Sequence, residues 1–204
     1  MSDAATLHHP EPAESPLTPE SWGKLGMWIF LCGDAMTFGT LIVTFGIMRI
    51  AAADWPVPSE VLGVNLTAFM TFLLICSSVT MVLSLSGIKR GNMQEFKKFM
   101  LLTILGGTAF LACQAYEWTH LIHEGVTITA NKYGSPVFGD TFYIMTGFHG
   151  MHVFGGVVYL IVIFVGGLTG RITQANASVV EIAGLYWHFV DLVWILIFTF
   201  VYLL

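Results

Sequence analysis

The stretch FGDTFYIMTGFHGMHVFGGVVYLIVIFVGGLT, residues 138–169, decides the fold class of this chain. It contains one acidic residue, Asp140, and no lysine or arginine. Crossing the ~30 Å hydrocarbon layer of a bilayer takes roughly 20 apolar residues as a helix, because a helix satisfies its backbone polar groups internally. The stretch therefore predicts a membrane-spanning helix that is long enough to tilt or to extend beyond the bilayer.

Four further stretches have the same character, and they are Lys24 to Ile50, Val61 to Ile88, Phe96 to His123 and Ser178 to Leu204. The whole chain is 55% hydrophobic and only 10% charged, whereas soluble domains carry roughly 25% charged residues. We therefore predict an all-α polytopic membrane protein, with residues 23–204 forming one bundle of five transmembrane helices. Small residues allow membrane helices to approach closely, so three glycine pairs are predicted contact points: Gly106–Gly107, Gly155–Gly156 and Gly166–Gly167.

Residues 1–22 differ from the rest, because prolines alternate there with acidic residues and no apolar core follows a basic start. This composition predicts a disordered tail and not a cleaved signal peptide. Most lysines and arginines fall on the N-terminal side of the predicted membrane, which places the N-terminus in the cytoplasm and the C-terminus outside. The net charge of −5 comes largely from the tail, and no nucleic-acid partner is predicted.

Ionisable side chains inside the predicted spans need an explanation, because each costs at least ~2.5–3.5 kcal/mol at the centre of a helix on insertion scales. Three pairs have the i, i+3 spacing that places both members on one helix face. The pairs are Glu117 with His120, His149 with His152, and His188 with Asp191.

Two interpretations of these pairs remain open from spacing alone. The first is a hydrogen-bonded polar network that fixes how the helices pack. The second is a metal or haem site. Glu117 and His120 have the Glu-x-x-His spacing of di-iron carboxylate bundles, but such sites need a second copy of the motif, which the chain lacks. His149 and His188 lie at similar depths in two spans, as haem ligands from facing helices would.

Asp34 is a separate case, because it lies ten positions after Lys24 and therefore ~15 Å into the first span. It is either a neutral, hydrogen-bonded carboxyl or an acid that relays protons or contacts lipid. No signature of a serine hydrolase, a phosphate-binding loop or a zinc protease occurs in the chain.

Two longer motifs indicate a family. Residues 147–152, GFHGMH, and residues 186–194, YWHFVDLVW, resemble segments of subunit III of haem–copper oxidases, in the same order. Residues 114–117, QAYE, and residues 181–184, EIAG, match two further segments of that family. The similarity covers everything after Trp22, and the number of spans matches the short, five-helix form found in bacterial quinol oxidases and some other bacterial oxidases.

The resemblance implies a subunit that binds no haem or copper itself and packs with oxidase subunits I and II, subunit I holding the haem and copper. It implies structural phospholipids, support for proton uptake, stability during turnover, and a bacterial plasma membrane. The matching histidines, His149, His152 and His188, are structural in the family. Asp34 matches a carbodiimide-reactive acid that is usually glutamate, so the shorter aspartate is a departure, as is Leu185, which replaces an aromatic residue.

Two other functions remain as alternatives. One is an accessory subunit of a nitric oxide reductase system, which shares the short form and differs in its purification partner. The other is a haem-binding membrane anchor, which would show a haem absorption band in the isolated chain.

Overall fold

A computed structural model describes residues 22–204, so the predicted tail lies outside the described residues except for Trp22, which begins the first helix. Within this part of the chain, five helices are long and apolar enough to cross a membrane. They are α1 (Trp22–Ala51), α3 (Val64–Lys89), α4 (Met93–His123), α5 (Val137–Leu168) and α6 (Ala177–Ile197). A short helix α2 (Pro58–Val61) precedes α3, a 3₁₀ turn (Gln174–Asn176) precedes α6, and a π-helical turn (Phe198–Leu203) continues α6. The prediction of an all-α, five-helix membrane protein is confirmed.

The second span begins later than predicted. Val61 ends α2, and the non-helical backbone of Gly63 (φ −75°, ψ 67°) separates it from α3, which starts at Val64. The third span begins earlier than predicted, at Met93, because the Asn92 side chain caps the helix by accepting a hydrogen bond from the Glu95 backbone N–H at 3.2 Å.

Four of the long helices form a ring in which each packs against two neighbours, in the order α3, α4, α5, α6 and back to α3. Helix α1 lies outside this ring and packs against α5 and α6. As a result, α5 and α6 each contact three other spans. Helix α6 is the most buried of the five spans, and α1 is the least buried.

Trp187 of α6 fills the centre of the ring and is fully buried. Its indole lies against Gly107 of α4 and Gly156 of α5, where a side chain would collide with it. Its N–H donates to the Ser77 hydroxyl of α3 at 3.0 Å. Each of the three predicted glycine pairs contributes at least one such close approach, which confirms them as contact points.

Charged side chains join the helices at one end of the bundle. Glu181 near the start of α6 accepts from Lys24 of α1 at 2.8 Å and pairs with Lys89 at the end of α3 at 3.0 Å. The turn from α3 to α4 carries Gly91 at φ +75°, a conformation that glycine adopts without strain. This end of the bundle therefore has a polar, ion-paired boundary, as a membrane surface requires.

The loop from α4 to α5 lies at the opposite end. There the exposed phenol of Tyr133 donates to the Glu124 carboxylate at 3.1 Å. Because only the neutral phenol can donate this hydrogen bond, the bond raises the pKa of Tyr133 above its ordinary value.

Candidate functional site

Five of the seven predicted site residues lie in three separate clusters, each joining different helices. The first pairs α1 with α5, the second joins α3 to α6, and the third joins α3, α4 and the C-terminal π turn. Their members are Asp34 with His152; Ser78 with His188 and Asp191; and Glu117 with Thr67 and Tyr202.

In the first cluster, Nε2 of His152 lies 3.0 Å from Oδ2 of Asp34, and both side chains are nearly buried, at 10% and 12% exposed. The approach has the length of a hydrogen bond but is bent, so Oδ2 lacks a well-aligned partner among the described residues. Nδ1 of His152 is 2.8 Å from the Phe148 backbone carbonyl oxygen one turn earlier. The pair therefore joins the α1 carboxyl to the α5 backbone through one imidazole.

The contacts of His152 determine which of its nitrogens faces Asp34. A backbone carbonyl only accepts hydrogen bonds, so Nδ1 of His152 carries the proton that it donates to the Phe148 carbonyl oxygen. Nε2 is the nitrogen that faces Oδ2 of Asp34, at 3.0 Å. The site thus brings together two groups that can each bind a proton, in nearly buried surroundings.

Aromatic side chains enclose this pair. The Phe38 ring of α1 meets the His152 ring edge-on at 5.2 Å between centroids, and the Phe148 ring lies 4.7 Å away on another side. Tyr186 of α6 donates from its hydroxyl to the His152 backbone carbonyl at 2.9 Å. These rings limit water access, which strengthens the electrostatic interaction between Asp34 and His152.

The second cluster is built around one hydroxyl of α3. Ser78 donates to Oδ2 of Asp191 at 2.7 Å and lies 3.1 Å from Nδ1 of His188. A hydroxyl has one proton, so when Ser78 donates to Asp191 it accepts from the His188 N–H. The i, i+3 pair of α6 is thus brought together through Ser78, which joins α6 to α3.

The third cluster holds Glu117, which is 4% exposed. Its Oε1 lies 2.9 Å from the Thr67 hydroxyl of α3, and its Oε2 accepts from the Tyr202 hydroxyl at 3.0 Å. The π-helical turn that ends the chain places Tyr202 in this position. Glu117 therefore ties α4 to α3 and to the C-terminal turn.

His120 and His149 stand apart from these clusters. His120 is exposed on α4, with its ring 6.5 Å from that of Tyr116. His149 is fully buried, stacked on Trp194 at 4.9 Å and met edge-on by Phe110 at 5.7 Å. Neither ring nitrogen of His149 has a hydrogen-bond partner among residues 22–204. The structure does not bring these two histidines into the polar contacts that the sequence predicts for them.

Three hydroxyl groups of α3 that bond to neighbouring helices were not among the predicted site residues. Thr67, Thr71 and Ser78 follow one another at helical spacing on the face that meets α4 and α6, and Thr71 accepts from the Trp194 indole at 3.0 Å. Their i, i+4, i+11 spacing places them on one face of an otherwise apolar span, and this pattern could have identified them from the sequence.

The described residues contain no group of three or more His, Cys, Asp or Glu side chains that could hold a metal ion. The two predicted haem-ligand candidates lie in different surroundings, since His149 is enclosed by aromatic rings and His188 contacts Ser78. What the three clusters can do chemically is hold protons and join helices.

Comparison with known proteins places this arrangement in context. The family model described as cytochrome c oxidase subunit III matches residues 20–204. A quinol oxidase subunit 3 of Bacillus spizizenii is 37% identical over 180 residues, which is 88% of this chain and 86% of that protein. A cytochrome c oxidase subunit 3 of Alkalihalophilus pseudofirmus is 37% identical over 96% of this chain and 92% of its own length. A probable cytochrome c oxidase subunit 3 of Nocardia farcinica is 34% identical over 88% of this chain and 86% of its own length.

Proposed function

Because this chain belongs to the cytochrome c oxidase subunit III family, we propose that it supports proton uptake by a terminal oxidase through its Asp34–His152 pair. The chain itself is a third subunit of a haem–copper oxidase, a component of an oxidoreductase complex, and a multi-pass membrane protein. We propose that its direct partners are subunits I and II, with the haem and copper held by subunit I. The bacterial relatives support a location in a bacterial plasma membrane.

The 3.0 Å approach of the Asp34 carboxyl to the His152 imidazole, in nearly buried surroundings, is the observation that carries this proposal. A carboxyl and an imidazole can each bind and release a proton, and at 3.0 Å a proton can pass between them without a large movement of either side chain. Such a pair near the middle of a membrane helix is costly, and ionisable side chains retained there usually mark functional sites. Supplying or buffering protons for a neighbouring uptake pathway fits this chemistry, and the Glu117 and Ser78 clusters contribute to packing.

A groove beside α6 supports the proposal that the subunit also holds phospholipid. Helix α1 leaves a cavity of about 320 Å³ along α6, lined mainly by apolar side chains such as Trp28, Leu31 and Leu192. An acyl chain fits such a lining, since it offers no hydrogen-bonding group. A lipid in this position would fill space that α1 and α6 do not close by themselves.

The proposed orientation places the end that carries Lys24, Lys89 and Glu181 in the cytoplasm. The excess of lysine and arginine at this end supports it. The tail, residues 1–22, would then be cytoplasmic as well.

The test is Asp34→Asn in the complete oxidase. The asparagine amide has nearly the same shape as the carboxyl, so assembly is retained, but it does not bind or release a proton. We expect fewer protons pumped per electron or faster inactivation during turnover, measured on oxidase reconstituted in vesicles. Asp140→Asn, a partly exposed carboxylate in the first turn of α5, is the matched control. Wild-type behaviour of Asp34→Asn in both assays would refute the proton role.

A further inference from the structure

Glu117 has an environment in which both of its protonation states can be hydrogen-bonded. It is almost fully buried, and within residues 22–204 no lysine, arginine or histidine forms an ion pair with it. Its two oxygens instead contact two hydroxyl groups, those of Thr67 and Tyr202, at 2.9 and 3.0 Å. Hydroxyl groups both donate and accept hydrogen bonds, so they do not commit the carboxyl to one charge.

The Thr67 hydroxyl can turn between two acceptors. It lies 2.9 Å from Oε1 of Glu117 and 3.2 Å from the Gly63 backbone carbonyl oxygen. When Glu117 is ionised, Thr67 and Tyr202 both donate to it. When Glu117 is protonated, its Oε1–H donates to Thr67, and the Thr67 proton turns to the Gly63 carbonyl. Both states are hydrogen-bonded after the rotation of one hydroxyl, so neither leaves a buried polar group without a partner.

A cleft leads from the surface of the bundle to this carboxyl. It has a volume of about 350 Å³ and lies between the α2–α3 junction and the end of α4. Gly63, Leu66 and Glu117 line it together with Tyr116 and His120, which are both exposed. His120 stands one turn beyond Glu117 at the mouth, where an imidazole can pass protons between water and the carboxyl.

From this geometry we propose that Glu117 is a proton-binding site distinct from the Asp34–His152 pair. Glu117 exchanges its proton with water through the cleft past His120. The two sites lie at different depths. Asp34 is twelve residues after the start of α1, and Glu117 is twenty-four residues after the start of α4, which runs in the same direction. At 1.5 Å per residue the two carboxyls are separated by about 18 Å along the bundle. Glu117 is therefore the carboxyl nearer the membrane surface opposite to the ion-paired end.

The groups that face Glu117 from its neighbours are few. Thr67 approaches from α3 and Tyr202 from the C-terminal turn. Tyr143 of α5 is close enough for the Glu117 charge to act on its phenol, but it donates its proton to the Val126 backbone carbonyl at 2.9 Å. His120 is the only histidine among the residues that line the cleft. Tyr202 is thus the phenol that stabilises the ionised state directly.

The experiment is infrared spectroscopy of the complete oxidase in the membrane, titrated over pH in H₂O and D₂O. We expect a protonated carboxyl band that decreases as pH rises, shifts in D₂O and is absent in Glu117→Gln. Tyr202→Phe removes a donor that favours the ionised form, so the midpoint of this band should rise by at least about one pH unit. Tyr143→Phe is the matched control, since it removes a buried phenol that donates to the Val126 carbonyl and not to Glu117. The midpoint of the carboxyl band in this variant should match wild type.

Three results would overturn the proposal: a Glu117 band that keeps one intensity over the whole pH range, a band that does not shift in D₂O, or equal midpoints for Tyr202→Phe and Tyr143→Phe. If Glu117→Gln does not assemble, the comparison of the two tyrosine variants still identifies the band, because both retain Glu117. This measurement does not depend on proton pumping by Asp34→Asn. The proposal for Glu117 and the proposal for the Asp34–His152 pair are therefore tested separately.

Discussion

The fit of Trp187 against Gly107 allows the cost of one methyl group to be worked out. A Cβ at Gly107 would lie 2.5 Å from Cη2 of Trp187 and 2.8 Å from Cγ2 of Val157, well inside ordinary contact distance. The indole cannot retreat, because its N–H is bonded to Ser77 and its other edge lies against Gly156. Overpacking of this kind costs about 1–3 kcal/mol, and two collisions place Gly107→Ala near 3 kcal/mol. The higher helix propensity of alanine offsets about 1 kcal/mol, so the net loss of stability is about 2 kcal/mol.

The assay is a titration of the purified chain with sodium dodecyl sulfate in mixed micelles, followed by circular dichroism. Gly46→Ala in α1 is the matched control, since a Cβ there meets nothing within 4 Å. It gains the same helix propensity, so the difference between the two variants, about 3 kcal/mol, measures the collision alone. Replacing Trp187 by phenylalanine in both backgrounds should reduce that difference. Equal midpoints for Gly107→Ala and Gly46→Ala would show that the packing around Trp187 is not as described.

Two further substitutions test the other clusters by the same titration. Ser78→Ala removes the hydroxyl between α3 and α6 and leaves Asp191 without its donor, so stability should fall by about 0.6–1.7 kcal/mol. Ser78→Thr keeps the hydroxyl and should stay near wild type, and an equal loss in both would mean that the hydrogen bonds do not matter. His149→Phe replaces a buried imidazole without hydrogen-bond partners by an aromatic ring, so stability should be unchanged or higher. A loss of more than about 1 kcal/mol would instead reveal a partner for the imidazole.

The sequence by itself determined the spans and the family. Hydropathy along the chain shows which segments have side chains apolar enough to lie in lipid. Such a segment must be helical, because every unpaired backbone group in lipid is costly. The stretch at residues 138–169 was accordingly placed within about one residue of α5 (Val137–Leu168). The motifs GFHGMH and YWHFVDLVW were sufficient for the family, which the match over residues 20–204 confirms.

Only the tertiary structure decided which side chains meet. Asp34 finds its partner in His152 of α5, and Glu117 finds Thr67 and Tyr202, while His120 faces outward one turn away. Spacing of i and i+3 shows that two residues share a face, but not whether that face meets lipid or protein. In a soluble helix the apolar stripe supplies this information. In a membrane both surroundings are apolar, so the rotation of each helix depends on how glycines, indoles and hydroxyl groups fit together across the bundle.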